Sequence, residues 1–187
     1  MKQLLLAAPM AVAMLIAAAP AAANTGTIQF AGQINSGSCP IEIVDPVSGG
    51  VDNIVRLGNA IVADFGTIGA EARERRFGMR ITPGAGCTIT PGDATVNFVS
   101  MAGATGPGST LYALRPSSNS ATGVAVVIKD ARDSSVVAHG ADSKTFAVVA
   151  GAPTTMAFTA AYKSTVASTA ISAGPADADV NFTVNLP

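Results

Sequence analysis

Side chains that could carry catalytic chemistry are scarce in this 187-residue sequence, and the single histidine, His139, is the first to consider. Histidine is the usual general base near neutral pH, so a Ser-His-Asp triad in this chain would have to use that residue. His139 stands in the stretch VVAHGADSK beside turn residues, without a second histidine to share a metal ion. The sequence also has no G-x-S-x-G nucleophile elbow. The pattern predicts an ordinary exposed histidine and no enzyme activity.

Carboxylates offer the other route to acid–base or metal chemistry, but here they occupy loop-like or strand-edge contexts. Asp177 and Asp179 stand close together near the C-terminal end, and Asp45 and Asp52 flank a turn-rich stretch. The stretch DARDSS, residues 130–135, follows a strong strand pattern and lacks the ligand spacing of a calcium loop. We therefore predict a hairpin turn there, no metal site and no cofactor.

The charge pattern argues against nucleic acid as a partner. Charged residues make up 12% of the chain, the formal net charge is −1, and the basic residues form no long stripe. The densest cluster is GAEARERR, residues 69–76, in which glutamates are interspersed with arginines. We expect a solvated loop or a single turn there rather than a functional basic patch, because the acidic residues partly neutralise it.

Residues 1–23 have the features of a secretory signal peptide. Lys2 precedes an apolar run from Leu4 to Ala19, and three alanines follow at positions 21–23. The run is too short to be preferred as a transmembrane helix, and no later stretch is apolar enough for a span. We expect an exported protein whose mature part starts near Asn24.

The mature part has the usual size of one domain and contains two cysteines, Cys39 and Cys87. A structural zinc site needs about four Cys or His ligands, whereas a pair of cysteines in an oxidising compartment favours one disulfide. We therefore predict a Cys39–Cys87 disulfide.

Apolar and polar residues alternate in short stretches along most of the chain, which is the pattern of half-buried β-strands. Clusters of Gly, Pro, Ser, Asn and Asp separate these stretches and supply turns. Because no long stretch has helical periodicity, the sequence predicts an all-β sandwich. The alternating apolar positions are Cys39, Ile41 and Ile43; Phe77, Met79 and Ile81; Val96 and Phe98; Val124, Val126 and Ile128; Met156, Phe158, Ala160 and Tyr162; and Val180, Phe182, Val184 and Leu186.

The stretch NTGTIQFAGQI, residues 24–34, has the same period of two but stands apart from the rest. After the following NSGS the apolar parity changes, which indicates a break before the strand that starts near Cys39. The segment is therefore separable, and two placements are open: a first strand of its own sheet, or a strand given to another chain. The residues that share one face of it are Gly26, Ile28, Phe30, Gly32 and Ile34.

Six short motifs occur in order along the mature chain. They are G-x-I-x-F-x-G-x-I at 26–34 before the first cysteine, V-x-L-G at 55–58, F-x-M-x-I at 77–81 before the second cysteine, G-V-x-V-x-I-x-D at 123–130, F-x-A-x-Y at 158–162, and an ending with Gly174, Ala176, Ala178, Phe182 and Val184. This ordered set resembles the type 1 family of fimbrial subunits, the pilins assembled by the chaperone–usher pathway of Gram-negative bacteria.

The resemblance implies an incomplete immunoglobulin-like sandwich that lacks its last strand and is completed by a donor strand. Residues 24–36 would be the donor-strand extension, and residues 37–187 the pilin domain. The donor-strand residues implied to face a neighbour's groove are Gly26, Ile28, Phe30, Gly32 and Ile34. The residues implied to border the groove and to be recognised by a chaperone are Val180, Phe182, Val184 and Leu186.

The implied function is that of a structural fimbrial subunit, not an enzyme, which polymerises head to tail by donor-strand exchange and contributes to cell adhesion. The implied partners are neighbouring subunits, identical or different, a periplasmic chaperone and an outer-membrane usher, with no nucleic acid and no membrane span. The implied route is export through the periplasm to a fimbrium on the cell surface. The alternative is a monomeric secreted β-sandwich that serves as a binding module. The chain departs from the family at its Leu186-Pro187 ending, where a penultimate tyrosine is usual.

Overall fold

The computed structural model describes residues 28–32, 39–84 and 86–187, which form two packed β-sheets. Three single-turn 3-10 helices, Val62–Asp64, Pro107–Ser109 and Ser168–Ala170, are the only helices among these residues. None of the helices in this part of the chain has the length and apolar character needed to cross a membrane. The strands are β1 (Ile28–Gly32), β2 (Ile41–Val44), β3 (Ile54–Val55), β4 (Glu71–Ile81), β5 (Gly92–Ser100), β6 (Ala104–Thr105), β7 (Leu111–Tyr112), β8 (Val124–Asp130), β9 (Val136–Val137), β10 (Phe146–Val148), β11 (Thr154–Ser164) and β12 (Ala178–Asn185).

The strand order confirms the predicted all-β sandwich. The first sheet has the order β10-β5-β12-β1-β3, and the second has the order β2-β4-β11-β8-β7-β6, with β9 paired to β8. Strand β11 pairs antiparallel with both β4 and β8, so it lies at the centre of the second sheet. The turn after β8 leads into β9, as predicted for residues 130–135.

Aromatic side chains from both sheets meet in the core. Phe158 of β11 stacks on Phe77 of β4 with a centroid distance of 5.7 Å, and it meets Phe98 of β5 edge-on at 5.1 Å. Phe146 of β10 lies 5.2 Å from the same ring. All four rings are buried, and such aromatic pairs contribute about 0.5–1.5 kcal/mol each beyond area burial. The cluster therefore holds the two sheets together around Phe158.

The Cys39–Cys87 disulfide is present, as predicted, with Cα atoms 4.6 Å apart. Both cysteines are buried in the core. Cys39 follows residue 34 by five positions in the sequence, so the bond attaches the chain to the domain shortly after the segment 24–34.

The charged stretch 69–76 is part of a strand, so the expected loop or single turn was wrong. Strand β4 begins at Glu71, and Arg73 adopts a left-handed backbone with φ of 61° where the β4–β11 register shifts. This geometry is a β-bulge. A strand forms here despite the polar composition, because β4 pairs with β11 and the charged residues among 71–76 are exposed to solvent.

His139 is half-buried, which differs from the exposed histidine that the sequence predicts. Backbone bonds from His139 N–H to the Thr110 carbonyl and from Gly140 N–H to the Phe98 carbonyl hold its loop against the sandwich. Its ring lies 5.6 Å from that of Tyr112, and its Nε2 atom is buried without a hydrogen-bond partner among the described residues. A turn-like sequence gave no sign of this packing.

Candidate functional site

Strand β1 fills a position in the first sheet between two strands that do not pair with each other. On one side it runs parallel to β12, with Ile28 opposite Ala178 and Gly32 opposite Phe182. On the other side it runs antiparallel to β3, with Ile28 opposite Val55. Without β1, the part of the chain from residue 39 onwards has a gap one strand wide between β12 and β3.

The gap is bordered by apolar side chains. In β12, Ala178 and Val180 are fully buried and Phe182 is 7% exposed, while Val55 of β3 is 5% exposed. These residues face the core on alternate positions of their strands. Removing β1 would therefore expose backbone donors and acceptors on two edges together with an apolar floor, which is the requirement of a strand-binding groove.

The structure brings together only some of the residues proposed from the sequence. Ile28, Phe30 and Gly32 belong to β1, whereas Gly26 and Ile34 lie outside the described residues, as do residues 1–23. Val180, Phe182 and Val184 belong to β12, and Leu186 follows it, with Val184 and Leu186 half-buried against the core. Here β1 occupies a sheet of its own chain, one of the two placements left open by the sequence. Donation of β1 to another chain stays a prediction, as does the role of the β12 residues in chaperone recognition.

The last residue, Pro187, packs beside the first residue of β5. A Cβ atom placed on Gly92 would approach Pro187 to 2.7 Å, so glycine at this position makes room for the proline ring. The unusual Leu186-Pro187 ending is thus accommodated against the neighbouring strand of the same sheet.

A cavity of about 190 Å³ lies near the end of the groove where β12 begins. Its wall includes Ile61, Val62 and Phe65 from the β3–β4 connection and residues 171–174 and Ala176 from the β11–β12 connection. Most of this lining is apolar. The cavity extends the groove beyond the level of Ala178, the residue opposite the first residue of β1.

Tight loop packing builds the outer wall of the cavity. The Thr122 N–H donates to the Ser172 hydroxyl at 3.0 Å, and the Ala121 N–H donates to the Pro175 carbonyl at 2.9 Å. Gly174 lies so close to this loop that an added Cβ atom would stand 2.1 Å from the Asn119 carbonyl oxygen. Only glycine fits at that position, so this wall is fixed in place by close backbone contact.

One residue of the cavity lining, Tyr162, has a buried polar group without a partner among the described residues. Tyr162 lines it and is 2% exposed, and its hydroxyl makes no hydrogen bond with any described residue. Burial raises the pKa of this hydroxyl to about 12, with a further contribution from Asp177, so it stays protonated near neutral pH. Tyr162 therefore combines a ring at the cavity lining with a buried hydroxyl donor that has no partner among the described residues.

Replacing Tyr162 with phenylalanine is expected to leave the free energy of unfolding of the protein without a ligand unchanged or to raise it by up to about 1 kcal/mol. The substitution removes a buried polar group that has no partner and keeps the ring that packs in the core. Urea unfolding of the isolated chain measures the difference. A loss of more than about 1 kcal/mol would show that the hydroxyl is satisfied in solution.

Comparison with known proteins gives consistent matches over nearly the whole chain. The model of the fimbrial protein family matches residues 15–186. A fimbrial subunit type 1 of Salmonella typhimurium is 29% identical over 192 residues, which cover 97% of each chain. A fimbrial subunit type 1 of Klebsiella pneumoniae is 31% identical over 164 residues, which cover 86% of this chain and 83% of that one.

A solved structure extends the comparison to the fold. The P pilus rod subunit PapA superposes with a TM-score of 0.56 at 18% identity, covering 80% of this chain and 99% of that chain. This likeness concerns the fold and agrees with an immunoglobulin-like arrangement of the two sheets. The sequence matches, for their part, span the groove, the cavity and the segment that fills the groove.

Proposed function

This chain belongs to the fimbrial protein family, and we propose that it acts as a structural subunit of a bacterial fimbria that polymerises head to tail by donor-strand exchange. The observation that carries the proposal is the one-strand gap between β12 and β3, which a short N-terminal segment fills with backbone pairing on both sides. A strand with that fit can be supplied by another copy, because strand addition needs only an open edge and pockets for alternate side chains.

The shape of the cavity favours a donated strand that enters in the opposite direction to β1. In an antiparallel pairing that keeps Phe30 opposite Val180, Ile34 of the neighbour would stand opposite Ala176, which lines the cavity. Full burial of such a side chain contributes roughly 1.5–3 kcal/mol, and antiparallel pairing is slightly more stable per residue than parallel pairing. At the other end of the segment the residue of the same parity is Gly26, which has no side chain to fill a cavity.

Exchange of this kind builds a filament. Each copy offers a groove at one place and a strand at another, so the contact is heterologous and does not close on itself. The proposed role is architectural and contributes to cell adhesion, without enzyme activity. The copy joined in each step is a neighbouring subunit of the same or a related kind.

An open groove needs cover before assembly, because its two unpaired strand edges and its apolar floor would otherwise cause aggregation. We propose that a periplasmic chaperone supplies this cover along β12, at Val180, Phe182, Val184 and Leu186, and that an outer-membrane usher exchanges it for the next subunit's strand. Residues 1–23 would direct export to the periplasm, and the assembled fimbrium would lie on the cell surface.

Electron microscopy of cells that express the chain with a matching chaperone and usher tests the proposal. We expect surface filaments that react with antibody against this chain, and none from otherwise identical cells that lack the usher. Secretion of the chain as a soluble monomer under both conditions would contradict it and would support a self-contained binding module.

A further inference from the structure

The lysine and arginine side chains in the described part of the chain are almost all ion-paired, and the exceptions are two adjacent arginines. Of the ten lysines and arginines in the described part of the chain, eight form an ion pair with a carboxylate. Arg75 and Arg76 of β4 form none, and both are exposed. The neighbouring Glu71 and Glu74 do not neutralise them, because these glutamates bind Lys129 at 2.7 Å and 2.6 Å.

Both arginines line a pocket of about 200 Å³ between the edge strands β2 and β3, which we call the seam pocket. The carboxylates already in the pocket have other partners. Asp45 accepts the N–H groups of Val47 and Ser48 in its own turn, bonds that lower its pKa, and Asp52 pairs with Arg56. The seam pocket therefore holds carboxylates that have hydrogen-bond or ion-pair partners close in sequence, and two guanidinium groups without an ion pair, of which Arg75 also makes a small contribution to the lowered Asp45 pKa.

The hydrogen bonds of the two arginines use few of their donors. Arg75 Nε donates to the Arg56 carbonyl at 3.3 Å, and Arg76 Nη2 donates to the Ala131 carbonyl at 3.5 Å. A guanidinium group has five N–H donors in a planar fork that matches a carboxylate. The remaining donors suit an anionic carboxylate brought from outside the chain.

Two carboxylates without an ion pair lie at the edge of the first sheet opposite β3. Asp93 belongs to β5, and Asp142 forms a backbone bridge with Asn97 of β5 and accepts a hydrogen bond from the Asn97 side-chain amide at 3.2 Å. Both lie on the side of β5 that carries the edge strand β10. Both are exposed and neither forms an ion pair with the described residues. The other charges around this edge are paired internally, Asp130 with Arg132 and Asp133 with Lys144.

We propose that the seam pocket of one copy receives the Asp93 and Asp142 edge of a second copy, in a side-by-side contact separate from strand donation. The two charged features lie at opposite edges of the sandwich, so the contact is heterologous and repeats from copy to copy. It uses neither the groove nor the cavity. Within a filament it would join copies laterally, and in free chains it would appear as weak association.

Carbodiimide cross-linking of an R75K/R76K variant tests which carboxylate lies in the seam pocket. The reagent joins a lysine amine to a carboxylate as an amide, and water is transferred to the carbodiimide, which becomes a urea. A mixture of isotope-labelled and unlabelled full-length chains distinguishes links between copies from links within one. We expect links between copies from positions 75 and 76 to Asp93 or Asp142, and fewer of them at about 1 M salt, where the Debye length falls to about 3 Å. Links only to Asp45 or Asp52, or none between copies, would overturn the proposal.

Association measured by light scattering or sedimentation provides the second test. Two exposed ion pairs of the usual strength would make lateral association about tenfold weaker in R75A/R76A than in the native chain. The control A167E/T169E changes the net charge by the same amount on exposed residues that line neither the seam pocket nor the cavity, and it should associate like the native chain. The charge exchange R75E/R76E/D93K/D142K should restore association that R75E/R76E loses. If an added acidic glycan restores association and the charge exchange does not, the seam pocket binds a glycan and the contact proposed here is contradicted.

The two proposals fail in distinguishable ways. If no filaments form but free chains still show a salt-sensitive link from position 75 to Asp93, strand donation is contradicted and the lateral contact stands. If filaments form and none of these charge changes alters their lateral packing, the lateral contact is contradicted and strand donation stands.

Discussion

Deleting residues 24–32 is expected to abolish filament formation completely while leaving the rest of the chain able to bind a peptide of residues 26–34. The deletion removes β1, whose register places Phe30 opposite Val180 in the middle of the groove. It leaves the groove borders, the cavity and the disulfide untouched. Electron microscopy of cells with the chaperone and usher measures filament formation, and unfolding of the purified deleted chain measures peptide binding.

The peptide should raise the free energy of unfolding by about 2.7 kcal/mol at a concentration one hundred times its dissociation constant. Each of the side chains Ile28, Phe30 and Ile34 can contribute roughly 1.5–3 kcal/mol on burial, before the cost of ordering the peptide is deducted. A matched peptide carrying Phe30→Asp has the same length and should give almost no stabilisation, because it would bury a carboxylate without a partner.

Strand direction can be read from the same assay. If the strand enters antiparallel to β12, a peptide with Ile34→Gly loses the group that would fill the cavity. Its dissociation constant should then be about 10- to 100-fold higher. In a peptide bound parallel to β12 in the register of β1, position 34 would stand opposite Val184, at the end of the groove away from the cavity, and we expect the substitution to have little effect. Filaments formed by the deleted chain, or equal binding of the native and the Phe30→Asp peptide, would refute donor-strand exchange.

The features of the fold that depend on local periodicity could be predicted from the sequence. The alternation around Phe77, Phe98 and Phe158 identifies three strands whose inward residues meet in the core. The cysteine pair identifies the disulfide, because two cysteines allow only one intramolecular pairing. The change of parity after residues 24–34 predicts a separable segment, and its donation to another chain stays a prediction.

The features that were missed depend on contacts between distant segments. The charged composition of residues 69–76 predicts a solvated loop. The stretch nevertheless contributes to strand β4, because it pairs with β11, which lies more than 80 residues further along the chain. The cavity depends on Gly174 packing against the loop at Asn119, and on Tyr162 from a third segment. No pattern within one segment carries that information. A buried hydroxyl without a partner becomes visible only when all the surrounding elements are in place.

The disulfide has a position that matters for a subunit under tension. If β1 is given to a neighbour, pulling on the filament loads the chain between β1 and the domain, and Cys39 is where that connection meets the core. The bond to Cys87 passes the load directly to the segment after β4 and shields β2 from being peeled off the edge of the second sheet. With β1 donated, we expect the bond to act as a mechanical anchor as well as a thermodynamic one.

Replacing both cysteines with serine is therefore expected to lower the free energy of unfolding by about 4 kcal/mol, the chain-entropy value for a loop of this size. The two cysteines are 48 residues apart, and a loss of that size is a large fraction of the roughly 5–15 kcal/mol that stabilises a typical domain. Urea unfolding of the C39S/C87S variant and the native chain, each saturated with the 26–34 peptide, measures the difference with the groove filled in both. Filaments of the variant should also break at lower force in single-molecule pulling. A change in stability below about 1 kcal/mol, with unaltered rupture force, would show that β2 and the core hold the chain after β1 without the disulfide.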